Sequence, residues 1–205
     1  MGHLTIPKQK FGEILKEYGN VFSTGNFAGI LGLAYPKMAA YGITPVFDSI
    51  INNHLLKKNI MSFYYSKQDG VDGQITLGFI DTSHYTGKLR YYPVIDKFYW
   101  TIQLDDILVN GKSIGLCEGG CKAVVDTGTS LITGPTNDVK RLLKAITVED
   151  DCQGYEKAQK ITFVLSGDKY EFNGPDYILK SNTGDMKKCR AMMMPLDVPA
   201  PQYIL

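Results

Sequence analysis

The chain has 205 residues, above the usual single-domain size of about 100–150 and short of a comfortable pair of domains. Apolar residues make up 44%, charged residues 21% and aromatic residues 11%, enough for a sizeable core and too apolar for a disordered chain. Twenty-two basic against 21 acidic residues leave a formal charge of +1, and no apolar run reaches the roughly 18–20 residues that span a bilayer, so neither nucleic acid nor membrane is expected as a partner.

In chain order, residues 1–26 are mixed and weakly patterned. The start, Met1-Gly2-His3-Leu4-Thr5-Ile6-Pro7-Lys8, lacks the apolar core of a secretory signal, and Ile6 occupies the position where a myristoylation start needs Ser or Thr. There is no N-x-Ser/Thr sequon, so the chain as written carries no address. Thr44 as N-cap, Pro45 in the first turn and apolar Val46, Phe47, Ile50, Ile51 and Leu55 predict an amphipathic helix. β-Branched and aromatic runs predict strands over 60–66, 74–80, 88–94, 100–109, 123–126, 161–165 and 169–172. The Lys67-Gln68-Asp69-Gly70-Val71-Asp72-Gly73 stretch has the turn chemistry of a connecting loop. A second helix is predicted with Thr136 as N-cap, Asp138 in the positive first turn, and Val139, Leu142, Leu143 and Ile146 as its apolar stripe. The expected fold class is mostly β with two or three short helices.

Four cysteines, Cys117, Cys121, Cys152 and Cys189, permit three complete pairings. The two glycines of Cys117-Glu118-Gly119-Gly120-Cys121 let that stretch fold back to bonding distance. Free thiols and zinc are the alternatives, although no H-x₃-H pair accompanies the cysteines.

One segment carries chemistry: Ala123-Val124-Val125-Asp126-Thr127-Gly128-Thr129-Ser130-Leu131-Ile132-Thr133-Gly134-Pro135. Three apolar residues bury a strand, and an acidic side chain arrives at its end. Gly128 permits a turn with close backbone approach, and the hydroxyls of Thr127, Thr129 and Ser130 can bond a carboxylate or the nearby backbone. Residues 27–32 repeat the theme of apolar residues running into glycine, as needed where one backbone crosses another.

Asp126-Thr127-Gly128-Thr129-Ser130, the C-x-x-x-C before it and Phe27-Ala28-Gly29-Ile30-Leu31-Gly32-Leu33-Ala34-Tyr35-Pro36 together resemble the pepsin-like aspartic proteases, most of all the cathepsin D, cathepsin E and renin group. Thr44-Pro45-Val46-Phe47-Asp48, Ser62-Phe63-Tyr64, Asp81-Thr82-Ser83-His84-Tyr85-Thr86-Gly87, Tyr99-Trp100 and Leu196-Asp197-Val198-Pro199 fall in the same order as similar text in that family. The resemblance implies a bilobal β protein with one Asp-Thr-Gly loop per lobe, a water held between two carboxylates, and an extended peptide or protein substrate in the cleft. No cofactor and no metal enter that scheme. On it, residues 1–58 are the end of the first lobe with the inter-lobe segment. Residues 59–205 are the second lobe, truncated before its final strands.

Asp126 is then the second-lobe catalytic aspartate, Thr127 joins the network tying the two loops together, and Gly128 lets substrate backbone lie close. Thr129 holds the outer oxygen of Asp126 and can meet the peptide, and Leu196 lines a pocket on the leaving-group side. The family's two second-lobe disulfides match Cys117–Cys121 and Cys152–Cys189, which is also the most economical pairing. The parent protein is expected in a lysosomal, endosomal or secreted compartment.

This route needs one carboxylate as base toward water and another as acid toward the carbonyl oxygen, the two sharing a proton as they do in reference members of the family. Residues 1–122 contain neither Asp-Thr-Gly nor Asp-Ser-Gly, the sole tryptophan is Trp100, and the flap tyrosine has no counterpart. Ala28 stands where the family usually has Asp. The expectation is therefore a fragment lacking its first lobe, with activity residing in a longer chain. A non-catalytic peptide-binding or protein-binding piece is the alternative, and a symmetric dimer with one Asp126 per chain is a third. His54 is expected on the apolar side of its helix, Met192-Met193-Met194 as gap-fillers in a strand or loop, and Tyr64, Tyr65, Tyr91, Tyr92 and Tyr99 as packing residues. Lys57-Lys58 and Lys187-Lys188 read as solvated charges.

Overall fold

A computed structural model describes residues 2–16, 18–19, 27, 29–68, 70–183, 186–198 and 202–205, so Ala28, Asp69 and Pro199 lie outside the described residues. Two compact units divide the chain, Met1–Arg90 and Tyr91–Leu205.

In the first unit, helix α1 (Val46–Asn52) buries Phe47 and Ile50. Strands β1 (Met61–Tyr64) and β2 (Gln74–Leu77) form an antiparallel pair from Met61↔Leu77 to Tyr64↔Gln74. Thr44 is not the cap of α1: Pro45, in extended conformation with ψ 154°, takes that position. A proline φ near −60° serves helix and extended chain alike, so the sequence alone does not say on which side of the boundary it falls. His54 does not sit on the helix either. It follows the C-cap Asn53 at φ 51°, exposed, where its N–H donates to Ile51 O and that of Leu55 to Ile50 O. That pair of bonds closes the helix in a left-handed cap. Tyr64 stacks on His84 with ring centroids 3.9 Å apart. Tyr65, by contrast, is 66% exposed and packs little, as does Tyr91 of the second unit at 79%.

The second unit is built on two sheets. In the six-stranded sheet the order is β13 (Met193–Pro195), β8 (Ile132–Gly134), β14 (Gln202–Ile204), β7 (Cys121–Val124), β4 (Trp100–Leu104) and β3 (Asp96–Lys97). The four-stranded sheet runs β10 (Asp168–Phe172), β9 (Ile161–Leu165), β5 (Asp106–Val109) and β6 (Lys112–Ser113). A third pair, β11 (Ile178–Thr183) with β12 (Met186–Ala191), forms a hairpin. The predicted strand over 100–109 is thus two strands in two sheets. They part at Asp105, whose N–H donates to Val164 O while its carboxylate accepts from Gly167 N–H. Aspartate is a poor strand residue that binds turns readily, which makes it a corner here. Residues 88–94 form no strand, because an apolar and aromatic run has strand character only beside a partner ladder.

Ile102, Leu104, Ile107, Ala123, Val139, Leu142, Ile161, Phe163, Tyr177 and Tyr203 belong to one buried cluster. Helix α2 (Thr136–Ala145) turns Val139 and Leu142 into it, while Leu143 of the predicted stripe stays 38% exposed. The short helix α3 (Gly174–Tyr177) buries Tyr177, whose hydroxyl donates to Gln159 O at 2.7 Å. Met193 is buried as a gap-filler on β13, while its neighbour Met194 faces outward. No helix among the described residues is long and apolar enough to cross a membrane.

Both expected disulfides are formed, Cys117–Cys121 at a separation of 4 residues and Cys152–Cys189 at 37. Chain-entropy scaling makes the long bridge worth about 4 kcal/mol against about 2 for the short one. Paired serine replacements should therefore cost roughly twice as much stability at Cys152 and Cys189 as at Cys117 and Cys121, read from denaturant midpoints. Equal losses would show that closing the longer loop is not what counts.

Candidate active site

Strand β7 pairs antiparallel with β4 and parallel with β14, so its backbone is bonded on both sides up to Val124. The ladder then runs on through single bonds: Val125 N–H to Trp100 O at 3.0 Å and Asp126 N–H to Leu205 O at 3.0 Å. Leu205 in turn donates its N–H to Val124 O at 2.9 Å. Asp126 therefore leaves the sheet from a backbone that cannot shift without breaking its neighbours.

Beyond that point the chain turns back onto the carboxylate. Asp126 Oδ1 accepts the N–H of Gly128 at 2.8 Å, and Oδ2 accepts the hydroxyl of Thr129 at 2.5 Å. Thr129 N–H also donates to Asp126 O at 3.3 Å. A Cβ at Gly128 would stand 3.1 Å from Asp126 Oδ1, close enough that the carboxylate would have to shift by a few tenths of an ångström, and the glycine φ is not in the left-handed region. Asp126 and Thr129 are half-buried, while Thr127, Gly128 and Ser130 are exposed. The result is a carboxylate with both oxygens oriented by its own loop and one side open. Such a group can hold and deprotonate a water, provided that a second acidic group supplies the proton for the other half of the reaction.

Among the described residues no other backbone lies against the glycine of the Asp-Thr-Gly loop; the close approach comes one strand later, at Gly134, and a side chain makes it. Strand β14 inserts between β7 and β8, parallel to the first and antiparallel to the second through Ile204↔Thr133. The ring of Tyr203 then lies where a Cβ on Gly134 would be, 2.6 Å from Cδ1. Tyr203 is 2% exposed, and its hydroxyl donates to Asp138 Oδ2 at 2.8 Å; burial and that bond push the phenol well above its ordinary range. The earlier apolar-to-glycine run forms no strand at residues 29–32, all of which are exposed.

Leu196 is half-buried just past β13, its N–H donating to Gly134 O at 2.8 Å. That bond sets Leu196 beside the end of β8, the strand that follows the Asp126 loop. Thr136 is the first residue of α2 and not its cap; Pro135, with ψ 138°, precedes it. The cap comes from elsewhere: Asp197 Oδ1 accepts Thr136 N–H at 2.9 Å and Oδ2 accepts Thr136 Oγ1 at 2.7 Å. Leu196 is among the residues expected from sequence, whereas Asp197, Tyr203 and the Leu205 carbonyl join the site only through the fold. Only the Leu196-Asp197-Val198-Pro199 text hinted at the first of these.

Residues 1–205 match the family described as Eukaryotic aspartyl protease. The chain is 41% identical to cathepsin E of Mus musculus over 207 residues, 97% of this chain and 52% of that protein. It is 39% identical to cathepsin D of Chionodraco hamatus, 98% of this chain and 53% of that protein, and 40% identical to cathepsin D of Rattus norvegicus, 98% and 52%. The chain spans about half the length of the curated relatives it matches. With 205 residues matched and identities near two-fifths, the chain belongs to the eukaryotic aspartyl protease family, the pepsin-like fold.

Proposed function

We propose that this chain supplies one of the two carboxylates of an acid-acting aspartic endopeptidase, with Asp126 as the second-lobe catalytic residue. Residues 59–205 are then the second lobe, residues 1–58 the end of the first lobe with the inter-lobe segment, and a first lobe with its own Asp-Thr-Gly is the partner that completes the site. The observation that carries this reading is the double engagement of Asp126, Oδ1 by Gly128 N–H and Oδ2 by Thr129 Oγ1.

An extended peptide lies across the paired loops. One carboxylate takes a proton from water as that water attacks the scissile carbonyl, and the protonated partner gives its proton to the carbonyl oxygen. Thr129 and Gly128 keep Asp126 aimed, Thr127 joins the bonding between the two loops, and Leu196 lines the pocket on the leaving-group side. Two disulfides with no free cysteine among the described residues favour an oxidising route, hence a lysosomal, endosomal or secreted parent.

The test is cleavage of an unstructured peptide at acid pH by the full-length protein, with and without a statine-type peptide that mimics the tetrahedral transition state. Cleavage blocked by the mimic is the expected result. Peptide binding without turnover, insensitive to the mimic, would instead mark the chain as a peptide-holding piece that adds a strand to its ligand.

A further inference from the structure

The geometry points to Asp197 as a positioning residue for the peptide groove: its carboxylate clasps Thr136 and thereby fixes Leu196, to which the peptidase reading gives the wall of the leaving-group pocket. This inference rests on the peptidase reading above and adds to it the residue that holds the pocket wall in place. Strand β13 runs parallel to β8 in the register Met193↔Ile132, Met194↔Thr133 and Pro195↔Gly134. The last ladder bond is Leu196 N–H to Gly134 O. The next residue on the β8 side is Pro135, which has no N–H to continue the pairing. At that point a side chain takes over. Asp197 accepts both the N–H and the hydroxyl of Thr136, at 2.9 and 2.7 Å.

Two needs are met by one carboxylate. Helix α2 lacks a side-chain cap of its own because Pro135 stands at the cap position, so its first free N–H depends on Asp197. Residues 196–198 follow a three-residue edge strand, and among the described residues their other hydrogen bond is Leu196 N–H to Gly134 O. Two bonds to a single residue also fix direction as well as position, which a surface ion pair does not. The Thr136 bonds, backbone first, together with Lys140 on the same helix, hold the Asp197 carboxyl below the usual range. A carboxylate lowered in this way keeps its contribution above its unfolded value and loses it only as pH falls through the lower folded one, so the clasp persists below the pH at which a free carboxyl protonates.

The experiment compares Asp197→Ala, Asp197→Asn, Thr136→Val and Thr136→Ser in the full-length protein by two readouts. In amide hydrogen exchange, Thr136 and Leu196 are expected to exchange about tenfold faster in Asp197→Ala, with Ile107 and Phe163 of the four-stranded sheet unchanged and Thr136→Ser close to wild type. Unchanged exchange at Leu196 would overturn the clasp. The second readout takes two peptides that differ only on the leaving-group side, one carrying a bulky apolar residue and the other alanine. Asp197→Ala is expected to raise KM about fivefold to tenfold for the bulky peptide with kcat retained, and to leave the alanine peptide unaffected. Asp197→Asn and Thr136→Val, each still able to form one bond, should fall between and keep the comparison open if Asp197→Ala folds poorly. Equal losses on both peptides would mark a merely structural residue and overturn this proposal alone. A wild-type protein that cleaves neither peptide overturns the peptidase reading and this proposal together.

Discussion

Asp126→Asn is expected to lower acid-pH peptide cleavage by the full-length protein by about 10²–10⁴-fold, the usual worth of a positioned acid–base group. Asparagine has the shape of aspartate and retains one oxygen for the Gly128 N–H, so the unfolding midpoint should hardly move. What disappears is the ability to take or share a proton. Thr129→Ala should cost less, because it removes one of the two donors that orient the carboxylate and leaves the group itself. The measurement is kcat on a fluorogenic peptide for both variants beside a thermal unfolding scan. Wild-type turnover in Asp126→Asn would mean that the chemistry lies elsewhere. The 205-residue chain alone should give no turnover, since its sequence offers a single Asp-Thr-Gly and the reaction needs a second acidic group to protonate the carbonyl oxygen.

That the Asp126 loop could be read from sequence, and its supports could not, follows from the range of the interactions. Gly128 and Thr129 lie within three residues of the carboxylate, so a short motif contains the whole of the local bonding. Leu205 and Asp197 reach the same region from the far end of the chain, and hydrophobic periodicity says nothing about which carbonyl or carboxylate will arrive. The same division runs through the fold. Strand β9 coincides with a predicted run because Ile161–Leu165 is a continuous β-branched and apolar stretch with Ile161, Thr162, Phe163 and Leu165 all buried, and β10 follows as its antiparallel partner. Strand β14 leaves no trace in the sequence, and Met192-Met193-Met194 reads equally as strand or loop, because three residues such as Met-Met-Pro or Gln-Tyr-Ile carry no period. Residues 88–94 erred in the other direction, strand-like in composition and without a ladder. Helix α2 lies within a residue of its sequence expectation, but Thr136 is not its cap, since a hydroxyl beside a proline looks the same whether it accepts an N–H of its own helix or donates to a carboxylate 61 positions away.

The largest loss of stability is expected at Tyr203. Its ring is buried between β7 and β8 over Gly134, and its hydroxyl ends on Asp138 in the first turn of α2. Tyr203→Ala removes an aromatic from the core and leaves Asp138 without this donor, together about 4–7 kcal/mol. Tyr203→Phe keeps the ring and should cost about 1–2 kcal/mol. Gly134→Ala attacks the same contact from the other side. The new methyl meets Cδ1 and Cε1 at 2.6 and 2.7 Å, and a ring pinned at its far end by Asp138 cannot swing clear, so about 1–3 kcal/mol is expected. Combining Gly134→Ala with Tyr203→Leu separates a steric clash from a general weakening of β8. If the ring is what the methyl hits, the glycine change costs little once the ring is gone, and the double-mutant cycle shows a coupling of about 1–3 kcal/mol. Additive losses would put the cost in the β8 backbone. Because β14 leads directly to the Leu205 carbonyl that holds Asp126 N–H, Gly134→Ala should also lower kcat, in proportion to how far the strand is displaced.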